Sequence, residues 1–235
     1  MNEIILDPEN PLQTKKFSTE EGKFEFHLPK YQDFYMLSSA KALASLDNAL
    51  INARLSLSLL ESDTLNTIAK DDFEKSNLIK LWVENSIIRV QSVYDRVLIF
   101  VNKVLDLGIS NEGISHLSIT TNEHIRRYRL DSLIKAVHKS CSEYQHIRNK
   151  VIHHDRYSED ALDNLTLVLD ANHMSLATGK DELLSKDLLD LMVDAYLNTK
   201  QSELAAYLDG IEAKIYDLYE KIIPIYHHKK EILAK

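Results

Sequence analysis

The stretch Trp82-Val83-Glu84-Asn85-Ser86-Ile87-Ile88-Arg89-Val90-Gln91-Ser92-Val93-Tyr94-Asp95-Arg96-Val97 decides the fold. Val83, Ile87, Val90, Tyr94 and Val97 step by four and three, and Val101 and Val104 continue the series. Such steps place side chains on one face of an α-helix. The helix is predicted from about Phe73 to Leu107. Asp71 or Asp72 suits its N-cap, and Gly108 falls just past its end. The stripe is rich in β-branched residues, whose helix propensity is modest, so the helix needs partners to pack against. Asn85, Arg89, Ser92 and Arg96 form a second, polar stripe. It reads either as the solvent face or as a side that lends Asn85 and Arg89 to a cleft beside the next helix.

Working outward, no proline occurs between Lys30 and Ile223, and the only glycines there are Gly108, Gly113, Gly179 and Gly210. Both features favour long helices. A first helix over about 32–61 carries Leu43, Leu46, Leu50, Ala53, Leu57 and Leu60 on one face. After a loop at 109–122, a third helix starts at Thr121 or Asn122 and runs to about Ile152. Its stripe is Leu130, Ile134, Val137, Cys141, Tyr144 and Val151. Ser158, with Glu159 and Asp160, opens a further helix through 161–170. A loop at 171–181 then precedes a last helix from Asp181 or Glu182 towards Pro224, with Leu204, Leu208, Ile211, Ile215, Leu218 and Ile222 in step. Gly210 marks a kink or a close crossing in it. The stripes predict an all-α antiparallel helical bundle over 31–235, with its core at about 35–170 and the long C-terminal helix at about 182–223. Residues 1–30 hold Pro8, Pro11 and Pro29 and read as an irregular arm. Residues 23–28 alternate as one short strand, which must add to a partner or lie along the helices.

Composition bounds the function. The chain has 235 residues, 44% hydrophobic and 27% charged, with neither a membrane-spanning run nor a secretory signal. Its single cysteine, Cys141, excludes an intrachain disulfide and agrees with a reducing cytoplasm. Lying on an apolar stripe, Cys141 reads as a packed residue rather than a nucleophile. A net charge of −8 opposes general nucleic-acid binding, yet residues 123–156 carry +4 and the rest −12. A basic element on an acidic body steers a polyanion to one place. The competing reading is an ordinary solvated helix face.

Within the basic element lies Arg148-Asn149-Lys150-Val151-Ile152-His153-His154-Asp155-Arg156-Tyr157. Arg148 fills the apolar slot between Tyr144 and Val151. A guanidinium there is costly unless something polar or anionic meets it. His153 follows about 140° further round an ideal helix, so it converges with Arg148 only where the helix ends or bulges. Asn149 shares a face with His153. The bland alternative is a helix end where Arg148 pairs with Asp155 or Glu143 and the histidines cap carbonyls. A zinc site from His146, His153, His154 and Asp155 has suitable ligand types, but it lacks a His-x-x-x-His pair and a cysteine partner. No metal or cofactor is therefore expected. No phosphate-binding glycine loop, Ser-His-Asp arrangement or paired-carboxylate motif stands out.

An arginine, a polar residue and a histidine near the end of a helix, in an all-helical chain, resemble the HEPN superfamily and its R-x4-6-H motif. The stretch 82–96 is also similar to the helix before the motif helix in some bacterial HEPN proteins. The resemblance covers roughly residues 35–170. It implies a metal-independent endoribonuclease or a catalytically inactive relative that binds RNA, dimerises or recruits another protein. In the active form His153 would move the 2′-hydroxyl or leaving-group proton. Arg148 would hold the phosphate and Asn149 would orient the imidazole. Lys150, His154, Arg156, Arg89 and Asn85 would contact the substrate. The expected products carry a 2′,3′-cyclic phosphate and a 5′-hydroxyl. The resemblance further implies a homodimer with the two motifs face to face, and an antitoxin or defence-system partner. HEPN toxins paired with nucleotidyltransferase antitoxins often carry His-x-Tyr at the motif's end. Here position 155 is aspartate and the nearest tyrosine is Tyr157.

Overall fold

The apolar stripes are buried helix faces. The computed structural model describes residues 1–20, 23–142, 144 and 157–235. These form one β-hairpin, Phe17–Glu20 (β1) with Lys23–Phe26 (β2), and eight α-helices. The helices are Tyr31–Ser58 (α1), Ser62–Ile68 (α2), Asp72–Val104 (α3), His116–Thr120 (α4), Glu123–Arg127 (α5), Asp131–Cys141 (α6), Asp160–Ala177 (α7) and Lys186–Leu233 (α8). The expected all-α helical bundle is what is found. Every quoted stripe residue of α1, α3 and α8 is buried, as are Leu130, Ile134, Val137, Cys141 and Tyr144. No described helix is long and apolar enough to cross a membrane.

Several boundaries differ from expectation, each for a local reason. Helix α3 starts as predicted, with the Asp71 side chain accepting from the Glu74 amide at 2.8 Å. It ends earlier, because Asp106 takes the left-handed position at φ 51°. The Leu107 amide then reaches back to the Asn102 carbonyl at 3.0 Å, and the Asp106 amide to that of Lys103 at 3.2 Å. Those two bonds are a Schellman cap. The third helix is not continuous from residue 123. Arg129 stands at φ 55°, with Leu130 N–H bonded to Ile125 and Arg129 N–H to Arg126, and this cap separates α5 from α6. The expected loop 109–122 contains α4, capped by Ser115, whose hydroxyl accepts from the Ser118 amide at 3.1 Å. Helix α7 runs on to Ala177 rather than stopping near 170, and Gly179 at φ 74° ends it.

Pro224 does not terminate α8. It is exposed, as is Glu220, whose carbonyl has no N–H at Pro224 to accept from. Ile225 and Tyr226 beyond it are buried and hold the helix on course. A β-carbon at Gly210 would meet nothing within 4 Å, so this glycine marks no close crossing. The strand read at 23–28 is not alone: β1 pairs with it antiparallel, Phe17 opposite Phe26.

The chain divides into two units. The first comprises residues 1–50, 92–141 and 210–235, and the second 51–91 and 142–209. In the first unit Tyr35 stacks on Tyr226, with ring centres 5.7 Å apart. The irregular arm is tied down there. Buried Asn10 donates to the Ile4 and Met36 carbonyls, both at 3.3 Å. Asp7, also buried, accepts from Lys230 at 2.8 Å, from Tyr226 at 3.1 Å and from the Glu9 amide at 3.0 Å. The second unit packs α2, α7, the first turns of α3 and the first half of α8 around Leu65, Ile79, Val83, Leu165, Leu169 and Leu197.

Burial pushes the Asp7 carboxyl up, but Lys230, the Glu9 amide and Tyr226 outweigh it and hold its pKa below the ordinary value. A pKa lowered by folding stabilises fully above the unfolded value, about 3.9, and loses that contribution as pH falls through the lower folded value. Asp7→Asn should therefore cost about 3 kcal/mol at neutral pH, as expected when one partner of a buried pair is removed. The deficit against wild type should shrink in acid, as measured by denaturant unfolding across pH.

Candidate functional site

Arg148, Asn149, Lys150, His153, His154 and Arg156 lie outside the described residues, as do Glu143, His146 and Asp155 of the competing readings. The residues on either side of this segment, Tyr144 and Tyr157, are described. Both are buried, and both belong to the second unit.

Their anchors form one polar network. Tyr144 packs its ring 4.9 Å from that of Tyr207 and donates its hydroxyl to Glu203. The Tyr207 hydroxyl accepts from Gln91 of α3 at 2.7 Å. The Tyr157 amide donates to Glu84 of α3 at 2.9 Å, and its hydroxyl to Glu159 at 2.5 Å. Glu159 also accepts from Tyr196 at 2.7 Å. Between the two carboxylates sits the Lys200 ammonium, 2.8 Å from Glu159 and 2.9 Å from Glu203, with its side chain only 6% exposed. Lys200 also lies 5.8 Å over the Tyr157 ring.

The electrostatics follow from burial and partners. Burial pushes Glu159 up, yet Lys200 and the two tyrosine hydroxyls outweigh it, so its pKa falls below the usual range. Burial and the Glu159 carboxylate drive Tyr157 and Tyr196 far above the usual phenol value. Both hydroxyls therefore stay protonated donors. The Tyr157 hydroxyl is buried and bonded, so it offers no open target for a modifying enzyme.

Asn85 and Arg89 sit one turn apart on α3, half-buried and exposed respectively, with Arg89 Nε 3.4 Å from Asn85 Oδ1. Asn85 directly follows Glu84, which holds the Tyr157 amide. The sequence reading missed Glu84, Glu159, Lys200, Glu203 and Tyr196. A signal existed for Lys200. It fills a core slot between Leu197 and Leu204, the same anomaly that singled out Arg148.

Two other polar features belong elsewhere. A cavity of about 410 Å³ in the second unit is lined by Lys70, Asp71, Asp72, Lys75, Asn172 and Asp190, among others. Its charges largely serve the fold: Lys75 meets Asp190 at 2.7 Å, and Asn172 donates to Asp72 at 2.8 Å. In the first unit, the imidazoles of His116 and His138 stack at 4.1 Å, and Tyr94 is hydrogen-bonded to His116. Burial, His138 and Lys135 hold the His116 pKa down. Among the described residues no group of three or more His, Cys, Asp or Glu side chains is placed to hold a metal.

Comparison with known proteins gives the class. The HEPN_Cthe2314-like HEPN family model matches residues 35–222, so the chain belongs to this HEPN family. The match reaches well past residue 170 and takes in Lys200 and most of α8. Searches of curated proteins and of solved structures each found no match.

Cys141 is buried, and burial, aided by Asp95, pushes its thiol up to about 12. An ordinary thiol near 8.5 labels readily at about pH 8. Cys141 should resist iodoacetamide at that pH in the native chain and label once the chain is unfolded, read by intact mass.

Proposed function

We propose that the chain is a metal-independent endoribonuclease of the HEPN type. The observation that carries this reading is the family match across residues 35–222 with Arg148, Asn149 and His153 inside it. RNA brings its own nucleophile in the 2′-hydroxyl. His153 removes that proton or protonates the leaving 5′-oxygen, since an imidazole titrates near neutral pH. Arg148 binds the phosphate and offsets the charge that grows on it in the transition state. Asn149 orients the imidazole. Lys150, His154 and Arg156 add phosphate contacts, and Arg89 and Asn85 add more from α3.

The reading extends to a homodimer that brings two motifs together, acting in the cytoplasm and held in check by an antitoxin or a defence-system partner. Exposed apolar residues at the end of α1 and just past it support a second copy: Ile51, Leu55 and Leu59 recur every fourth residue. The buried hydroxyl of Tyr157 favours control by a binding partner over control by tyrosine modification.

Purified chain incubated with a mixed RNA pool and EDTA should yield fragments with 2′,3′-cyclic phosphate ends. His153→Ala should lower the rate by about 100-fold or more, the usual worth of a general acid–base group. Equal cleavage by wild type and mutant would end the proposal. RNA binding without cleavage by either would point to an inactive HEPN module.

A further inference from the structure

We propose that Lys200 is a positioning residue for the motif segment, an inference that rests on the ribonuclease reading above. It is buried, so it is not itself a phosphate ligand. Its ammonium touches two carboxylates that lead in opposite directions along the chain. Through Glu159, at 2.8 Å, it reaches the Tyr157 hydroxyl, just after the motif. Through Glu203, at 2.9 Å, it reaches the Tyr144 hydroxyl, just before it. One cation thus ties both ends of the segment bearing Arg148 and His153 to a single turn of α8.

The other bonds at these two points show what the cation adds. Tyr157 has a second tether, from its amide to Glu84, and Tyr144 has its ring against Tyr207. Those contacts hold each end to its own neighbour. Among the described residues Lys200 bonds to both carboxylates, and so it sets the distance between the ends. Charge-assisted bonds are shorter and more directional than neutral ones, which suits them to fixing a spacing. Glu159 also receives Tyr196, so three donors besides the motif's own chemistry fix its orientation: Lys200, Tyr157 and Tyr196. Catalytic groups must be held within about 0.5 Å of the productive geometry, and their supports commonly lie one layer behind them.

The test compares wild type with Lys200→Met, Lys200→Arg and the double variant Tyr144→Phe/Tyr157→Phe. Steady-state RNA cleavage gives kcat and KM, and NMR follows the His153 imidazole, assigned by its loss in His153→Ala. Lys200→Met should lower kcat by about tenfold to 100-fold with KM nearly unchanged, the size expected for a misplacement of about 1 Å. Lys200→Arg should restore most of the rate. The His153 titration should shift in Lys200→Met and return in Lys200→Arg. The double tyrosine variant removes two hydroxyls and leaves the ion pairs intact, so it carries the same test should Lys200→Met fail to fold. A folded Lys200→Met or tyrosine variant with wild-type kcat and an unmoved His153 titration overturns the proposal. A wild type that cleaves nothing counts against the ribonuclease reading alone, and the His153 titration then decides the positioning role.

Discussion

The Lys200 ammonium between Glu159 and Glu203 is the constraint around which the second unit's polar interior is arranged. An ammonium withdrawn from water costs several kcal/mol unless carboxylates and good geometry repay it. Two carboxylates do so here, which leaves the trio one negative charge in excess. That excess is absorbed by donors that cannot ionise under working conditions. Tyr157 and Tyr196 are driven far above the phenol range by burial and by Glu159, and each gives its proton to that carboxylate. Both tyrosines therefore stay protonated over a wide pH span. The folded pKa of Glu159 lies below the ordinary glutamate value, so its own contribution is full above about 4.3 and fades as pH drops through the lower folded value.

The fold was legible where burial imposes a period. Val83 to Val104, Leu43 to Leu60 and Leu204 to Ile222 keep the three-four rhythm because each must point at a core, and each is buried. Helix ends were legible only where the residue type declares them, as at Asp71 and Asn122. They were hidden at Asp106 and Arg129, which adopt left-handed backbone without being glycine. That conformation costs roughly 1 kcal/mol for an L-residue, and no local pattern announces it. Pro224 misled in the other direction. A proline forfeits one intrahelical bond, yet buried Ile225 and Tyr226, with Lys230 bound to Asp7, hold the helix past it. Long-range contacts of this kind involve residues more than two hundred positions apart, which no sequence window contains.

The proposed site was read from a motif in the sequence, and the network beside it was not. Arg148 stood out because a guanidinium interrupts an apolar stripe, and that anomaly led to Asn149 and His153. Lys200 interrupts the α8 stripe in the same way, but without a motif around it an isolated lysine at a core position is easily taken for a register error. Glu84 and Glu203 gave no signal, and Glu159 signalled only the start of a helix. Glu84 and Glu203 lie on helices, where such residues are usually solvated, and Glu159 is the N-cap of α7; only the folded chain shows them meeting Tyr144, Tyr157 and Tyr196, with the Lys200 ammonium between Glu159 and Glu203.

This division fits the chemistry proposed for the chain. When the substrate supplies its own nucleophile, the protein has little covalent work to do, and rate depends on where a base and a cation stand relative to one phosphate. Such a site gains little from more reactive groups and much from a fixed spacing. Tyr144 and Tyr157, described on either side of the motif segment, are both tied to Lys200 of α8, the one through Glu203 and the other through Glu159. The family match extends to residue 222 and so takes in Lys200 and Glu203 on the last helix.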